Sequence, residues 1–166
     1  MGAGASTASR YIVSEAAAAA DFTVARTLFE EYAAQLKIDL CFQGFAAELD
    51  QLARIYAPPS GCLLIASCGD AAVGCGALRR LSAESCEMKR LYVQPAERGA
   101  KLGRVIAQRL LARARALGYA SMRLDTLGEM IPARDLYRSL GFREIAPYYD
   151  NPLPQVVYME IDLRTA

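Results

Sequence analysis

The stretch Leu91-Tyr92-Val93-Gln94-Pro95-Ala96-Glu97-Arg98-Gly99-Ala100-Lys101-Leu102-Gly103-Arg104 constrains this chain more than any other. A short apolar segment ends at a proline, a loop with two glycines follows, and a long amphipathic segment begins. That pattern is a strand running through a loop into a helix. The first N–H groups of such a helix have no internal acceptor. They carry about half a positive charge through the macrodipole. Glycine lets a ligand approach the backbone closely, and phosphate is the usual guest of such a site. Arg98, Lys101 and Arg104 add cations around it. The stretch is neither a G-x-x-x-x-G-K-[ST] loop nor a G-x-G-x-x-G fingerprint. An ordinary strand-to-helix turn shares its outline.

Charge along the chain is uneven. Net charge is +1 over 166 residues, which argues against a general nucleic-acid binder. Residues 1–78 sum to −4, residues 79–123 to +8 and residues 124–166 to −3. The basic middle segment suits a compact polyanion. A helix face decorated with arginines gives the same count.

Composition excludes several chemistries. There is no histidine, so neither Ser-His-Asp nor Cys-His catalysis is available, and no metal is held by imidazole. Proton transfer must use Asp, Glu, Lys, Tyr, Cys or water. The five cysteines (Cys41, Cys62, Cys68, Cys75 and Cys86) form no C-x-x-C pair and are odd in number. They read as reduced thiols of a cytoplasmic protein, mostly buried as small hydrophobes. No apolar run approaches the ~20 residues of a spanning helix. No metal site, membrane or nucleic-acid partner is expected.

Residues 1–10 read as a flexible start and residues 11–166 as one domain. Tyr11 to Val13 begins a strand. Ala17 to Leu36 is a helix with Asp21 at or near its cap. Phe45, Leu49, Leu52 and Tyr56 give a second, shorter helix. Strands follow at Cys62–Ser67, Val73–Leu81 and Cys86–Val93, the last two as an antiparallel hairpin. Gly103–Leu117 is the strongest helix, stopped by Gly118. Ser121–Asp125 is a strand, Pro132–Leu140 a helix ended by Gly141, and Gln155–Leu163 a last strand.

A second informative element is Leu136-Tyr137-Arg138-Ser139-Leu140-Gly141-Phe142. Leu136 and Leu140 pack inward at i and i+4. Tyr137 lies one step round the helix, where its hydroxyl can face a cleft edge. A phenol of pKa ~10 can protonate a leaving thiolate of similar basicity. A boundary tyrosine that only packs occupies the same position.

Together these residues resemble the GCN5-related N-acetyltransferase (GNAT) superfamily. R-G-A-K-L-G is similar to its pyrophosphate loop, L-Y-R-S-L-G-F to its penultimate helix and M-K-R-L-Y-V to its central strand. The order of elements fits over about residues 11–163. Lys101 is a departure, standing where the family most often has its first motif glycine. The resemblance implies an α/β fold: a mixed, mostly antiparallel sheet of about six to seven strands, flanked by about four helices.

By the same resemblance, acetyl-CoA would lie between two splayed central strands. Backbone around Leu91, Tyr92 and Val93 would hold the pantetheine and polarise the thioester. The N–H groups of Arg98, Gly99, Ala100, Lys101, Leu102, Gly103 and Arg104 would cradle the pyrophosphate. An acceptor amine would attack directly, without an acyl-enzyme. Glu87 is the candidate base, or else a salt-bridge partner of Lys89 or Arg80. Glu129 is a second candidate, and Tyr137 is the candidate acid. Acceptor contacts are expected at Phe42, Tyr148 and Asn151, suiting a small polar amine or an amino acid. The Pro147–Pro152 loop also reads as a turn whose tyrosines cover the core. The alternatives are a non-catalytic acyl-CoA-binding domain and an acetyltransferase acting on protein N-termini or lysines. A homodimer is consistent with family habit.

Overall fold

The computed structural model describes residues 10–41 and 44–165. The chain runs β1 (Tyr11–Glu15), α1 (Ala19–Leu36), α2 (Phe45–Asp50), α3 (Leu52–Ile55), β2 (Cys62–Cys68), β3 (Ala71–Arg80) and β4 (Ser85–Val93). A 3-10 turn at Pro95–Glu97 leads into α4 (Leu102–Ala116), then β5 (Ser121–Leu127), α5 (Ile131–Leu140), β6 (Arg143–Ile145) and β7 (Val156–Asp162). Seven strands form one sheet in the order β1-β2-β3-β4-β5-β7-β6. All neighbours are antiparallel except β4 and β5. The mixed, mostly antiparallel sheet of the expected fold class is therefore present, with five helices among the described residues where about four were expected.

Each helix follows from local chemistry. The Asp21 carboxylate accepts from the N–H groups of Ala17 and Ala18, both at 2.9 Å, and satisfies two orphan donors at the start of α1. Ala25, Leu28 and Phe29 recur at helical spacing and are buried. Lys37, in the left-handed region, ends α1. At the end of α5, Phe142 N–H reaches Tyr137 O and Gly141 N–H reaches Arg138 O, each at 3.0 Å, with Gly141 at φ 106°. This is a Schellman closure, and the Phe142 ring stacks edge-on against Tyr137.

The sheet separates two cores. On one face α4 and α5 cover Leu64, Val73, Leu78 and Met122 with Ile106, Leu110 and Tyr137. On the other, α1 and α3 cover Leu63, Ile65, Cys75 and Ala77 with Leu28, Phe29 and Tyr56. Each fully buried Leu, Ile or Phe contributes roughly 1.5–3 kcal/mol. Gly76 has a packing reason: a Cβ there would stand 2.7 Å from Ile106 Cγ2 and 3.0 Å from Leu110 Cδ1. The glycine lets α4 press onto β3.

The structure departs from the expected elements at three points. The single helix expected over Phe45–Tyr56 is two short helices, because Gln51 leaves helical geometry at φ −130°. Strand β6 was not expected; three residues carry no readable period, and β6 exists through its pairing with β7. Strand β4 does not simply alternate. Its register with β3 shifts between Cys75 and Ala77, and Arg90 takes φ 59°. The shift is a β-bulge, which reverses the side-chain parity beyond it. Cys86 and Met88 before the bulge, and Leu91 and Val93 after it, therefore pack on the α4 side. Tyr92 packs on the α1 side. The expectation of a flexible start falls mainly on residues 1–9, outside the described residues; Arg10 pairs with Glu97 at 2.8 Å.

Candidate active site

The parallel pairing of β4 with β5 covers only Ser85–Glu87 against Ser121–Arg123. Beyond it the strands diverge, and the β5-facing edge of β4 has no strand partner. Helix α4 connects these two strands, so its N-terminus meets the opening at the carboxyl end of β4. Open α/β sheets place ligands at such a point.

A cleft of about 960 Å³ occupies this end, lined by Leu91, Tyr92, Val93, the loop after β4 and α5 from Pro132 to Ser139. Of the seven loop residues expected at the pyrophosphate, Arg98, Gly99, Lys101, Leu102, Gly103 and Arg104 line it and Ala100 does not. Gly99 sits at φ 93° with open space where a Cβ would be. Lys101 is the N-cap of α4 and takes φ 61°, ψ 23°. It thus keeps the left-handed geometry that glycine supplies freely, at a cost of about 1 kcal/mol.

The loop cations have different duties. Arg98 Nε donates to the Val93 carbonyl at 3.0 Å and its Nη2 to Gln35 at 2.8 Å, fastening the loop to β4 and α1. Arg104 donates to Ser139 Oγ at 2.7 Å, joining α4 to α5. The Lys101 ammonium has no hydrogen-bond or ion-pair partner among the described residues, while its carbonyl accepts from Val105 N–H at 3.2 Å. Its ammonium is the loop cation left to meet an anion.

A smaller cavity of about 100 Å³ adjoins the cleft and shares Tyr32, Leu91, Met130 and Ala133 with it. Tyr137, Asp125, Lys89, Arg90 and Asn151 bring its polar groups. Tyr32 comes from α1 and Tyr137 from α5, so the cavity passes through the sheet where β4 and β5 part. Tyr137 is 8% exposed, and its hydroxyl has no hydrogen-bond partner among the described residues. Burial pushes its phenol well above the ordinary tyrosine value, which keeps the proton on. Asp125 Oδ2 accepts from Tyr149 at 2.8 Å, and Asn151 Nδ2 donates to the Tyr149 hydroxyl at 2.9 Å. Burial pulls the Lys89 ammonium below its ordinary value.

Glu87 lines neither cavity. It is 1% exposed, and Arg79 Nε reaches one of its oxygens at 2.9 Å. Lys89 stands 3.9 Å from the same oxygen, and Tyr148 donates to the other at 2.6 Å. The arginine of this network is Arg79, not Arg80, because Arg79 is the register partner of Glu87 on β3. Tyr148 lines neither cavity and stacks against Tyr149, Tyr158 and the Arg123 guanidinium. Glu129 lines the large cleft. Phe42 lies outside the described residues.

Sequence reasoning did not single out Asp125. Its signal was an acid on an alternating strand, Ser121-Met122-Arg123-Leu124-Asp125, just past the point where the parallel partner leaves. That point is visible only in the sheet. Arg90 was likewise missed. It is 6% exposed and forms a bidentate pair with Glu48 of α2, at 3.0 and 2.8 Å.

Burial raises the thiols of Cys62 and Cys86 to about 12 and that of Cys75 further, so none of these is a nucleophile at neutral pH. Among the described residues, no group of three or more Cys, Asp or Glu is arranged to hold a metal. None of their helices is long and apolar enough to cross a membrane.

Comparison with known proteins agrees with this geometry. The model of the Acetyltransferase (GNAT) family matches residues 25–142. An uncharacterized N-acetyltransferase of Schizosaccharomyces pombe is 43% identical over 140 residues, covering 83% of this chain and 86% of that protein. An acetyltransferase from Streptococcus agalactiae superposes with a TM-score of 0.77 at 22% identity, over 93% of this chain and 99% of that one. A Salmonella typhimurium acetyltransferase solved with its cofactor acetyl-CoA gives 0.66 at 20% identity, over 92% and 94%. At those identities the two solved structures establish the fold.

Proposed function

This chain belongs to the GNAT acetyltransferase family, and on that premise we propose that residues 11–166, as one domain, move an acetyl group from acetyl-CoA to a small polar amine or an amino acid. The observation that carries this is the junction of the two cavities beside Tyr137 and the free edge of β4. The residues present fit the donor. Gly99 leaves room for a phosphate, Lys101 presents an uncommitted ammonium, and the first N–H groups of α4 point the same way.

When bound, acetyl-CoA supplies an activated acetyl group and a thiolate leaving group. Backbone N–H groups of the Arg90–Val93 segment stabilise the negative charge that develops on the carbonyl oxygen. Asp125, rather than the enclosed Glu87, receives the proton of the attacking amine, directly or through a water. Glu129 lines the large cleft, on the donor side. Tyr137 gives its proton to the departing sulfur as the carbon–nitrogen bond forms and the carbon–sulfur bond breaks. The chain ends as it began once solvent takes the proton from Asp125 and returns one to Tyr137.

Acceptor choice rests on the small cavity. Lys89 of β4 and Asp125 of β5 stand on facing strands, each two residues past the last paired positions Glu87 and Arg123. An acidic and a basic group facing each other suit a molecule bearing both an amine and a carboxylate. Asn151 adds an amide at the same cavity. The space, about 100 Å³, favours a metabolite over a protein chain.

The test is isothermal titration with acetyl-CoA at low and moderate salt, followed by thiol-release assays with paired amino acids and their decarboxylated amines. Micromolar binding that weakens with salt, and turnover on the amino acids, is the expected result. Absence of acetyl-CoA binding at either salt overturns the donor assignment. Equal turnover of each amino acid and its amine overturns the carboxylate part.

A further inference from the structure

Arg90 lines the small cavity, but its pairing with Glu48 has no part in the proton transfers described so far; the pair stands at the register shift of β4. Arg90 carries φ 59°, a left-handed conformation that costs a non-glycine residue energy. Glu48 receives its guanidinium at two atoms, 3.0 and 2.8 Å apart from the carboxylate oxygens. The Tyr56 hydroxyl donates to the same carboxylate at 3.1 Å, and the Phe45 ring lies 5.2 Å from the guanidinium carbon. Both charged residues are buried, at 6% and 7% exposure. Such a pair contributes little net stability over an apolar substitute, but removing one partner alone is costly.

We propose that Glu48 and Arg90 are positioning residues that hold the β4 bulge in the register from which its backbone N–H groups face the donor thioester; this rests on the function proposed above. The argument is one of parity. Without the bulge, regular alternation from Cys86 and Met88 would send Arg90 into the apolar core under α4, and Leu91 and Val93 to the opposite face. A guanidinium in that core would have no partner. Glu48, Tyr56 and Phe45 give it one on the α1 side. The ion pair therefore selects the bulged register and sets which way residues 91–93 present their backbone. Glu48 begins its work from α2, a separate element, so a packing contact there governs charge stabilisation at β4.

The experiment uses [1-13C]acetyl-CoA and needs no acceptor. The carbonyl 13C resonance of the bound thioester reports its polarisation, and a titration gives the dissociation constant. Wild-type protein is expected to move the resonance downfield. In a Glu48→Gln background, which keeps an acceptor for Tyr56, position 90 is changed to Met, Ala or Gly. Met and Ala, which resist the left-handed region, lose the downfield shift and lower kcat about tenfold or more on any amine the wild type acetylates. Their dissociation constants for acetyl-CoA stay within about threefold, because the pyrophosphate loop is untouched. Glycine, which adopts positive φ freely, restores shift and kcat without restoring the ion pair. A purely structural pair predicts no such rescue. Should either Met or Ala fail to unfold cooperatively, the other against Gly gives the comparison. An unchanged shift in the Met or Ala variant, or no rescue by Gly, overturns the positioning role alone. Failure of wild-type protein to bind acetyl-CoA overturns the donor assignment and this proposal together.

Discussion

Tyr149 donates a 2.8 Å hydrogen bond to Asp125 Oδ2, and Asp125 shares the lining of the small cavity with Tyr137. Asn151 supports the same tyrosine from its own loop at 2.9 Å. The β6–β7 loop thus holds the carboxylate of a residue that lines the cavity. Asp125→Asn should lower kcat about a hundredfold or more and leave acetyl-CoA binding within about twofold. Glu87→Gln should act differently. It unbalances a buried network and costs about 3–5 kcal/mol of unfolding free energy, with a smaller effect on kcat. Steady-state kinetics and urea denaturation on both variants decide. If Glu87→Gln carries the larger kcat loss, the base is Glu87.

Tyr137→Phe removes a hydroxyl that has no hydrogen-bond partner among the described residues, so stability should change little. Turnover should fall at least about tenfold while acetyl-CoA affinity is retained. Unchanged kcat removes Tyr137 from the reaction and leaves it as the edge-on partner of Phe142.

Lys101 separates geometry from charge. Lys101→Gly keeps the left-handed cap and removes the cation, whereas Lys101→Ala removes the cation and keeps the strain. Both should weaken acetyl-CoA binding and flatten its salt dependence. The glycine variant should be more stable than the alanine variant by about 1 kcal/mol. Calorimetry measures both quantities, and an unaltered salt slope in both variants would show that Lys101 does not meet the phosphates.

Gly76→Ala should destabilise by about 1–3 kcal/mol, because the new methyl group meets Ile106 at 2.7 Å. Ile106 is β-branched and fully buried, so it cannot swing aside. Thermal unfolding reads the loss. Gly99→Ala offers a control in the same protein: it has open space but φ 93°, so any cost there is conformational rather than steric.

Burial alone would push the Glu48 carboxyl upward, but the hydrogen bonds and charge of Arg90 outweigh it and hold it below the ordinary glutamate value. A carboxyl lowered in the folded state adds stability above its unfolded pKa of about 4.3. That contribution disappears as pH falls through the lower folded value. Wild-type protein should therefore lose stability on acidification below about pH 4.5 more steeply than Glu48→Gln/Arg90→Met. Urea midpoints between neutral pH and pH 3 measure the difference, and parallel curves would remove Glu48 from the acid transition.

Much of this protein is determined locally and is legible in the sequence. The helix of residues 102–116 follows from its apolar period, the cap of α1 from Asp21, and the end of α5 from Gly141 and Phe142. The loop from Arg98 to Arg104 is legible as a glycine-bearing lead into a helix N-terminus, because unpaired N–H groups collect there in every fold. The remainder depends on what lies across the sheet. Strand β6 needs β7, and Gly76 needs α4. Glu87 is legible as an acid on the central strand, but its partners Arg79 and Tyr148 are not. Asp125 looked like the end of a strand, yet the divergence of β4 opens a cavity beside it. Arg90 appeared to alternate with its neighbours, until Glu48, 42 residues earlier, drew it to the other face. Periodicity and capping act over one or two turns of chain, whereas the partners of a buried charge are chosen by the fold.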